Sequence, residues 1–256
     1  MDNLRVYGHP PYTVALLHGG PGASGEMAPV ARELQDRWGV LEPLQTRMSV
    51  EGQVEELRLV LEKMSPAPVT LVGYSWGAWL GTLLAALHSS LVQKLILVSS
   101  GPFEEKFADQ ILMTRLQRLT KKERGKVESL LARPEDPAAF GLLGEIFAKA
   151  DYYDPLPMRS EGLELRPDIF KSVWKEAAEL RKNGKLLEAA QRVQCPMVAI
   201  HGDHEPHPAE GVRKPMAGVL KDFRFILLEK CGHTPWMEKR ARDEFFKVLR
   251  GELDRP

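Results

Sequence analysis

Apolar residues fall along this chain in two rhythms. Four short continuous runs, 13–17 (TVALL), 69–73 (VTLVG), 95–98 (LILV) and 197–200 (MVAI), are too short for core helices. A fifth, 223–228 (FRFILL), is broken only by Arg224. Runs without polar alternation predict strands covered on both faces, as in a parallel sheet. A weaker strand candidate, 39–44 (GVLEPL), contains Pro43, which ends any ladder. Between the runs the period changes. Val50, Val54, Leu57, Leu61 and Met64 repeat at three and four, with Ser49 placed to cap them. Trp76, Trp79, Leu80, Leu83, Leu84 and Leu87 do the same directly after the second run. Phe245, Leu249 and Leu253 line a charged final helix predicted to start near Pro235. Strands alternating with helices predict βαβ units around a mostly parallel sheet.

Residues 103–192 break the alternation. They hold no convincing strand run but three amphipathic patterns: Phe107, Ile111, Leu112, Leu116 and Leu119; then Phe140, Leu143 and Phe147; then Phe170, Val173, Trp174 and Ala177. Pro134, Pro137, Pro155 and Pro157 punctuate them. Ordinary crossover helices are the plainer account, but one crossover rarely needs that length. The expectation is a helical cap at 103–192 set into a core made of 1–102 and 193–256.

Composition narrows the class. The 256 residues carry 35 Lys plus Arg against 35 Asp plus Glu, so the basic excess of a nucleic-acid binder is missing. With 43% hydrophobic and 27% charged residues, the chain reads as soluble and globular. Cys195 and Cys231 cannot make a disulfide framework, which suits a reducing compartment. The opening MDNLRVYGHPP has neither the basic start nor the apolar run of a signal peptide. No apolar stretch reaches the roughly 18 residues of a membrane span. A cytoplasmic location is the expectation; the oligomeric state stays open.

The strongest chemical signal is Gly73-Tyr74-Ser75-Trp76-Gly77, set between a strand run and a helical period. A serine pinned there needs a tight turn with small residues two places away on each side. That turn pushes its hydroxyl outward at the positive end of the new helix. The second signal, His18-Gly19-Gly20-Pro21-Gly22, follows the first strand. Its glycines let backbone N–H groups aim at a developing negative charge. Neither loop has the ending of a nucleotide-triphosphate site or the full dinucleotide spacing.

With these two motifs in this order, the chain resembles the α/β-hydrolases, and the HGGPG loop most resembles proline iminopeptidases and their relatives. The resemblance covers essentially the whole chain. It implies an α/β-hydrolase fold, with a mostly parallel sheet flanked by helices and a helical cap. It implies a Ser75 nucleophile and an oxyanion hole from the N–H groups of Trp76 and Gly20, since Pro21 has none to give. The base would come last, at His233 within Cys231-Gly232-His233-Thr234-Pro235-Trp236. The family's Gly-x-x-Asp, counted from Gly202, lands on Glu205, with Asp203 as the rival acid. The reaction implied is hydrolysis of a small-molecule ester or amide, or of a short peptide, with no cofactor.

Other readings stay open. His201, His204 and His207 are evenly spaced and invite a metal, but no second cluster completes a ligand set, so no metal is expected. A binding or regulatory protein on a hydrolase scaffold is a further class. Cys231 reads as a buried thiol rather than a nucleophile. Trp76, Trp79 and Trp236 could wall an apolar pocket, with Trp236 the pocket candidate. The chain also departs from the family. The usual opening hairpin is short or missing, the Asp-x-x-Gly-x-Gly-x-Ser loop is replaced by 43–49 (PLQTRMS), and no cap acid matches the amine-holding role of the iminopeptidases.

Overall fold

The computed structural model describes residues 3–133, 136–157 and 163–255. Among them, seven strands form one sheet in the order β1-β4-β2-β5-β6-β8-β9. The strands are β1 (Leu4–Tyr7), β2 (Tyr12–Leu17), β4 (Gly39–Pro43), β5 (Val69–Tyr74), β6 (Val92–Val98), β8 (Met197–Gly202) and β9 (Phe223–Leu228). Every pairing is parallel except that of the edge strand β1 with β4. A separate two-residue pair joins β3 (Ala23–Ser24) to β7 (Glu164–Leu165).

The continuous apolar runs have a simple cause. Alternate strand residues serve opposite faces, and both faces are covered. Ala15, Leu17, Leu71, Leu95 and Leu97 pack under α2 (Val50–Met64), α3 (Trp76–Leu87) and α8 (Lys185–Gln191). Their neighbours Val14, Leu16, Val72, Ile96 and Val98 face α1 (Ala28–Leu34) and α10 (Arg242–Asp254). Ser49 caps α2, accepting the Gly52 N–H at 3.0 Å. Pro43 does close β4, but only as its last residue. The final helix begins at Arg242, not near Pro235; Pro235–Met237 is instead a short 3-10 turn.

Between β6 and β8 run α4 (Asp109–Arg118), α5 (Lys121–Leu131), α6 (Pro137–Asp151), α7 (Pro167–Lys182) and α8. The helical insertion is present, and it includes the short strand β7 in a stretch expected to have none. Leu119, Val127, Leu130, Ala139, Ile146 and Ala150 form a small core of their own within α4–α6 and the turn after α4. Leu186, Ala189 and Ala190 of α8 instead belong to the main core beside α3. Pro134 lies outside the described residues, as does the Phe140 side chain.

The insertion touches the sheet at the carboxyl ends of its strands. Ser172 Oγ donates to the Met48 carbonyl at 2.6 Å, and Glu176 accepts the Val50 N–H at 2.7 Å, both beyond β4. Arg118 donates to the His204 carbonyl beyond β8 at 2.8 Å. The Asp151 carbonyl accepts the His233 N–H beyond β9 at 2.8 Å. No helix among the described residues is long and apolar enough to cross a membrane. Helix α9 (Glu210–Val219) links β8 to β9.

Candidate active site

The turn from β5 into α3 holds Ser75 at φ 51° and ψ −110°, a strained conformation for a residue with a side chain. Its N–H donates to the Val98 carbonyl at 3.0 Å, so the strand continues up to the serine itself. The flanking glycines make the turn possible. A Cβ on Gly73 would run into the Gly77 backbone, and one on Gly77 into the Leu17 and His18 carbonyls. The same close approach seats the start of α3 on the end of β2. The glycine-rich loop therefore leaves its strand beside Ser75.

Inside that loop, buried His18 donates from Nδ1 to the Gly19 carbonyl at 2.8 Å and accepts the Gln45 N–H on Nε2 at 3.3 Å. Burial holds its pKa down to about 4, which keeps the ring neutral, and the Gly19 carbonyl and Gln45 N–H fix its tautomer. The Gly19 N–H donates to Glu26 Oε2 at 3.0 Å, so that donor is already committed. Gly20 has φ +20° and Gly22 φ +81°. Ala23 and Ser24 then pair with Leu165 and Glu164, tying the loop to the insertion.

His233 sits in the loop after β9, where several backbone bonds fix it. The Cys231 N–H donates to Asp203 Oδ1 at 3.1 Å and the Gly232 N–H to Glu238 Oε1 at 2.9 Å. The His233 ring lies 5.0 Å from the Tyr74 ring, and the Tyr74 hydroxyl bonds the Thr234 hydroxyl at 3.0 Å. The residue before the serine thus packs against the histidine. His233 Nδ1–H donates to Glu205, with oxygens at 2.8 and 2.9 Å. Of the two rival acids, Glu205 reaches the ring; Asp203 holds the backbone of the same loop. Burial alone pulls the His233 pKa down, but the Glu205 carboxylate and its hydrogen bond outweigh it and leave the pKa raised. Burial disfavours the Glu205 anion as well, yet the facing imidazoles hold its pKa well below the usual carboxylate range.

The tryptophans are packing residues in their side chains. Trp76 Nε1 donates to Gln53 at 3.0 Å and Trp79 Nε1 to the Gly101 carbonyl at 3.1 Å, and both are buried. Trp236, expected on a pocket wall, is 3% exposed between Tyr74 and Phe245. Burial pushes the Cys231 thiol far up, which keeps it protonated and unreactive.

The three evenly spaced histidines do not converge. His201 Nε2 bonds the His207 carbonyl at 2.9 Å, while the His204 ring meets Tyr153 edge-on. Among the described residues, the one group with metal-ligating atoms clustered is Glu205, His207 and His233. Its atoms are engaged in carboxylate–imidazole hydrogen bonds. The sequence reading missed two of the groups gathered here. Glu26 is a carboxylate pushed up to about 7 by burial, facing both Gly19 and His233. Asp151 comes from the insertion, 82 positions before His233 (233 − 151). Neither belongs to a local motif, so only the fold brings them in.

The sequence profile of the alpha/beta hydrolase fold family matches residues 12–239. Human monoacylglycerol lipase ABHD6 is 22% identical over 75% of this chain, which spans only 58% of that relative. A proline iminopeptidase of Lactobacillus delbrueckii subsp. bulgaricus is 23% identical, over 89% of this chain and 85% of its own. Among solved structures, that of VinJ superposes with a TM-score of 0.77 at 20% identity, covering 98% of this chain and 94% of the other.

Proposed function

The chain belongs to the α/β-hydrolase fold family, and from that premise we propose that it is a serine hydrolase of small carboxylic esters or amides. Ser75 is the nucleophile, His233 the base and Glu205 the acid. What carries this reading is the contact of elbow and base. Tyr74, bonded in the chain to Ser75, lies 5.0 Å from the His233 ring, whose Nδ1 is committed to Glu205. That leaves Nε2 for the serine.

The chemistry follows from the groups present. As Ser75 Oγ attacks the acyl carbon, its proton passes to His233 Nε2, and Glu205 offsets the charge on the imidazolium. The carbonyl electron pair moves onto oxygen, where the N–H groups of Gly20 and Trp76 receive it. Gly19 cannot serve there, since its N–H is held by Glu26. Trp76 opens α3, and a first-turn N–H has no partner within its own helix. Each such donor contributes about 3 kcal/mol in the transition state. Collapse of the adduct expels the alcohol or amine, which takes the proton from His233. Water then enters by the same route, releasing the acid and restoring Ser75. Every proton carrier in this cycle is a side chain of this protein, so the reading calls for no cofactor.

The relatives bracket the leaving group. The human one is named for a monoacylglycerol ester and the bacterial one for an N-terminal prolyl amide. Short p-nitrophenyl esters assayed beside prolyl-naphthylamide separate the two. A fluorophosphonate probe tests the shared machinery. Absence of a Ser75 adduct, together with failure on both substrates, would leave a binding protein on a hydrolase scaffold.

A further inference from the structure

Glu205 is shared. Its Oε1 accepts the Nδ1–H of His207 at 2.5 Å and the backbone N–H of the same residue at 3.1 Å. On its other side it takes His233, and the two imidazole rings lie 4.9 Å apart. Glutamate has one more rotatable bond than aspartate, so it needs more holding to present one fixed face to an imidazole. The holder is itself held: His201 Nε2 bonds the His207 carbonyl at 2.9 Å from the end of β8. Glu205 and His207 are both buried, so water does not compete for these bonds.

We infer that His207 is a positioning residue: its ring and backbone N–H groups lock the glutamate arm of Glu205 against His233. The inference rests on the serine-hydrolase reading for its catalytic consequence but not for its geometry. The two rings play unequal parts. Burial keeps His207 neutral, its pKa lowered despite the carboxylate, whereas His233 is raised. A neutral His207 donates a hydrogen bond without a second positive charge, so the carboxylate's field still favours the imidazolium of His233. The ionisable groups facing this trio are Arg115 and Arg118 of α4, Asp151 of α6, Glu26, His201, Tyr74 and Cys231.

The test uses the full-length chain labelled with 15N-histidine. H207A removes the ring donor, H207L does so at similar bulk if H207A does not fold, and H207N keeps an N–H where Nδ1 lies. Released from its lock, Glu205 couples less to His233, and burial then pulls the His233 pKa down. The donorless variant should lower that pKa by about one unit, a change of about 1.4 kcal/mol. H207N should recover most of the shift. In turnover, the donorless variant should lose about tenfold in kcat with KM within about twofold, and the acid limb of the profile should move to lower pH. In an E205Q background the same change should cost less than about twofold, because the residue it acts through is already neutralised. An unmoved His233 titration in a folded donorless variant, or H207N behaving like H207A, would overturn the inference. If wild type takes no fluorophosphonate, the hydrolase reading fails, and the NMR titration still decides the role of His207.

Discussion

At the scale of single residues, the site rests on a serine held in strain and a histidine held in register. Ser75→Ala or His233→Ala should cut turnover by three orders of magnitude or more while circular dichroism stays that of the wild type. Mass spectrometry after organophosphonate treatment should find its adduct on Ser75 alone. The acid can be assigned by a pair of neutral variants. Glu205→Gln should cost on the order of 10⁴-fold, because the imidazole loses its tautomer and its counter-charge. Asp203→Asn should stay within about tenfold, since the carbonyl oxygen of an asparagine can still accept the Cys231 N–H that Asp203 holds at 3.1 Å. The reverse pattern would move the acid to Asp203. The pH dependence has a defined sign. On the proposed mechanism His233 serves as base only when neutral, and Glu205 raises its pKa above the ordinary 6.5. Activity should therefore fall as pH drops through a value above 6.5, which a kcat/KM profile reads directly.

At the scale of elements, two backbone contacts decide where the chemistry can sit. In the β5–α3 turn, Gly73→Ala would drive a Cβ into the Gly77 backbone. A loss of about 3 kcal/mol or more, or no folded protein, is the expected result in urea denaturation. In the loop after β2, Gly22→Ala combines φ +81° with a Cβ only 2.6 Å from the Arg166 carbonyl. It should cost about 1–3 kcal/mol and depress turnover beyond that, because the β3–β7 pairing shapes the loop that carries Gly20. Helices α2 and α3 were legible from sequence: α2 buries one periodic face, while α3 is buried on nearly every side and its apolar positions still recur at three and four. The strands β1, β3 and β7 were not. Runs of four and two residues carry too little pattern to stand out, and their pairing partners are remote in sequence. The start of α10 was misplaced because Pro235 opens a short turn as readily as a long helix.

At the scale of the molecule, the insertion is tied to the loop that carries His233. Arg115 grips Asp151 through two hydrogen bonds of 2.8 and 2.7 Å, with side chains 20% and 10% exposed. The Asp151 carbonyl in turn takes the His233 N–H. Arg115→Ala removes both of these hydrogen bonds from a mostly buried carboxylate and should destabilise the chain by about 3 kcal/mol in urea. On the proposed function α4–α6, which have their own small core, would select the substrate, whereas α8 packs with α3 in the main core. Substitutions on the site-facing side of α4–α6 should therefore change the ratio of ester to prolyl-amide turnover more than the rate of Ser75 labelling. Equal effects on both would argue against a substrate-selecting cap.

The division between sequence and structure runs along the range of the interactions involved. Strand runs, helical periods and the two glycine motifs are local. Each is a pattern over a few residues imposed by backbone sterics and by which faces must be buried, so the fold class could be read directly from them, with Ser75 as the candidate nucleophile. Glu205 was reached by counting from Gly202, and the tertiary structure brings it, rather than Asp203, to the His233 ring, because two residues' difference along one loop decides which carboxylate meets a ring 28 positions away (233 − 205). Asp151, Glu26 and the lock of His207 on Glu205 lay further out of reach. Asp151 and Glu26 come from elements remote in sequence that meet at the carboxyl ends of the strands, and the Glu205–His207 contact, though only two positions apart, depends on side-chain orientations that no spacing rule fixes.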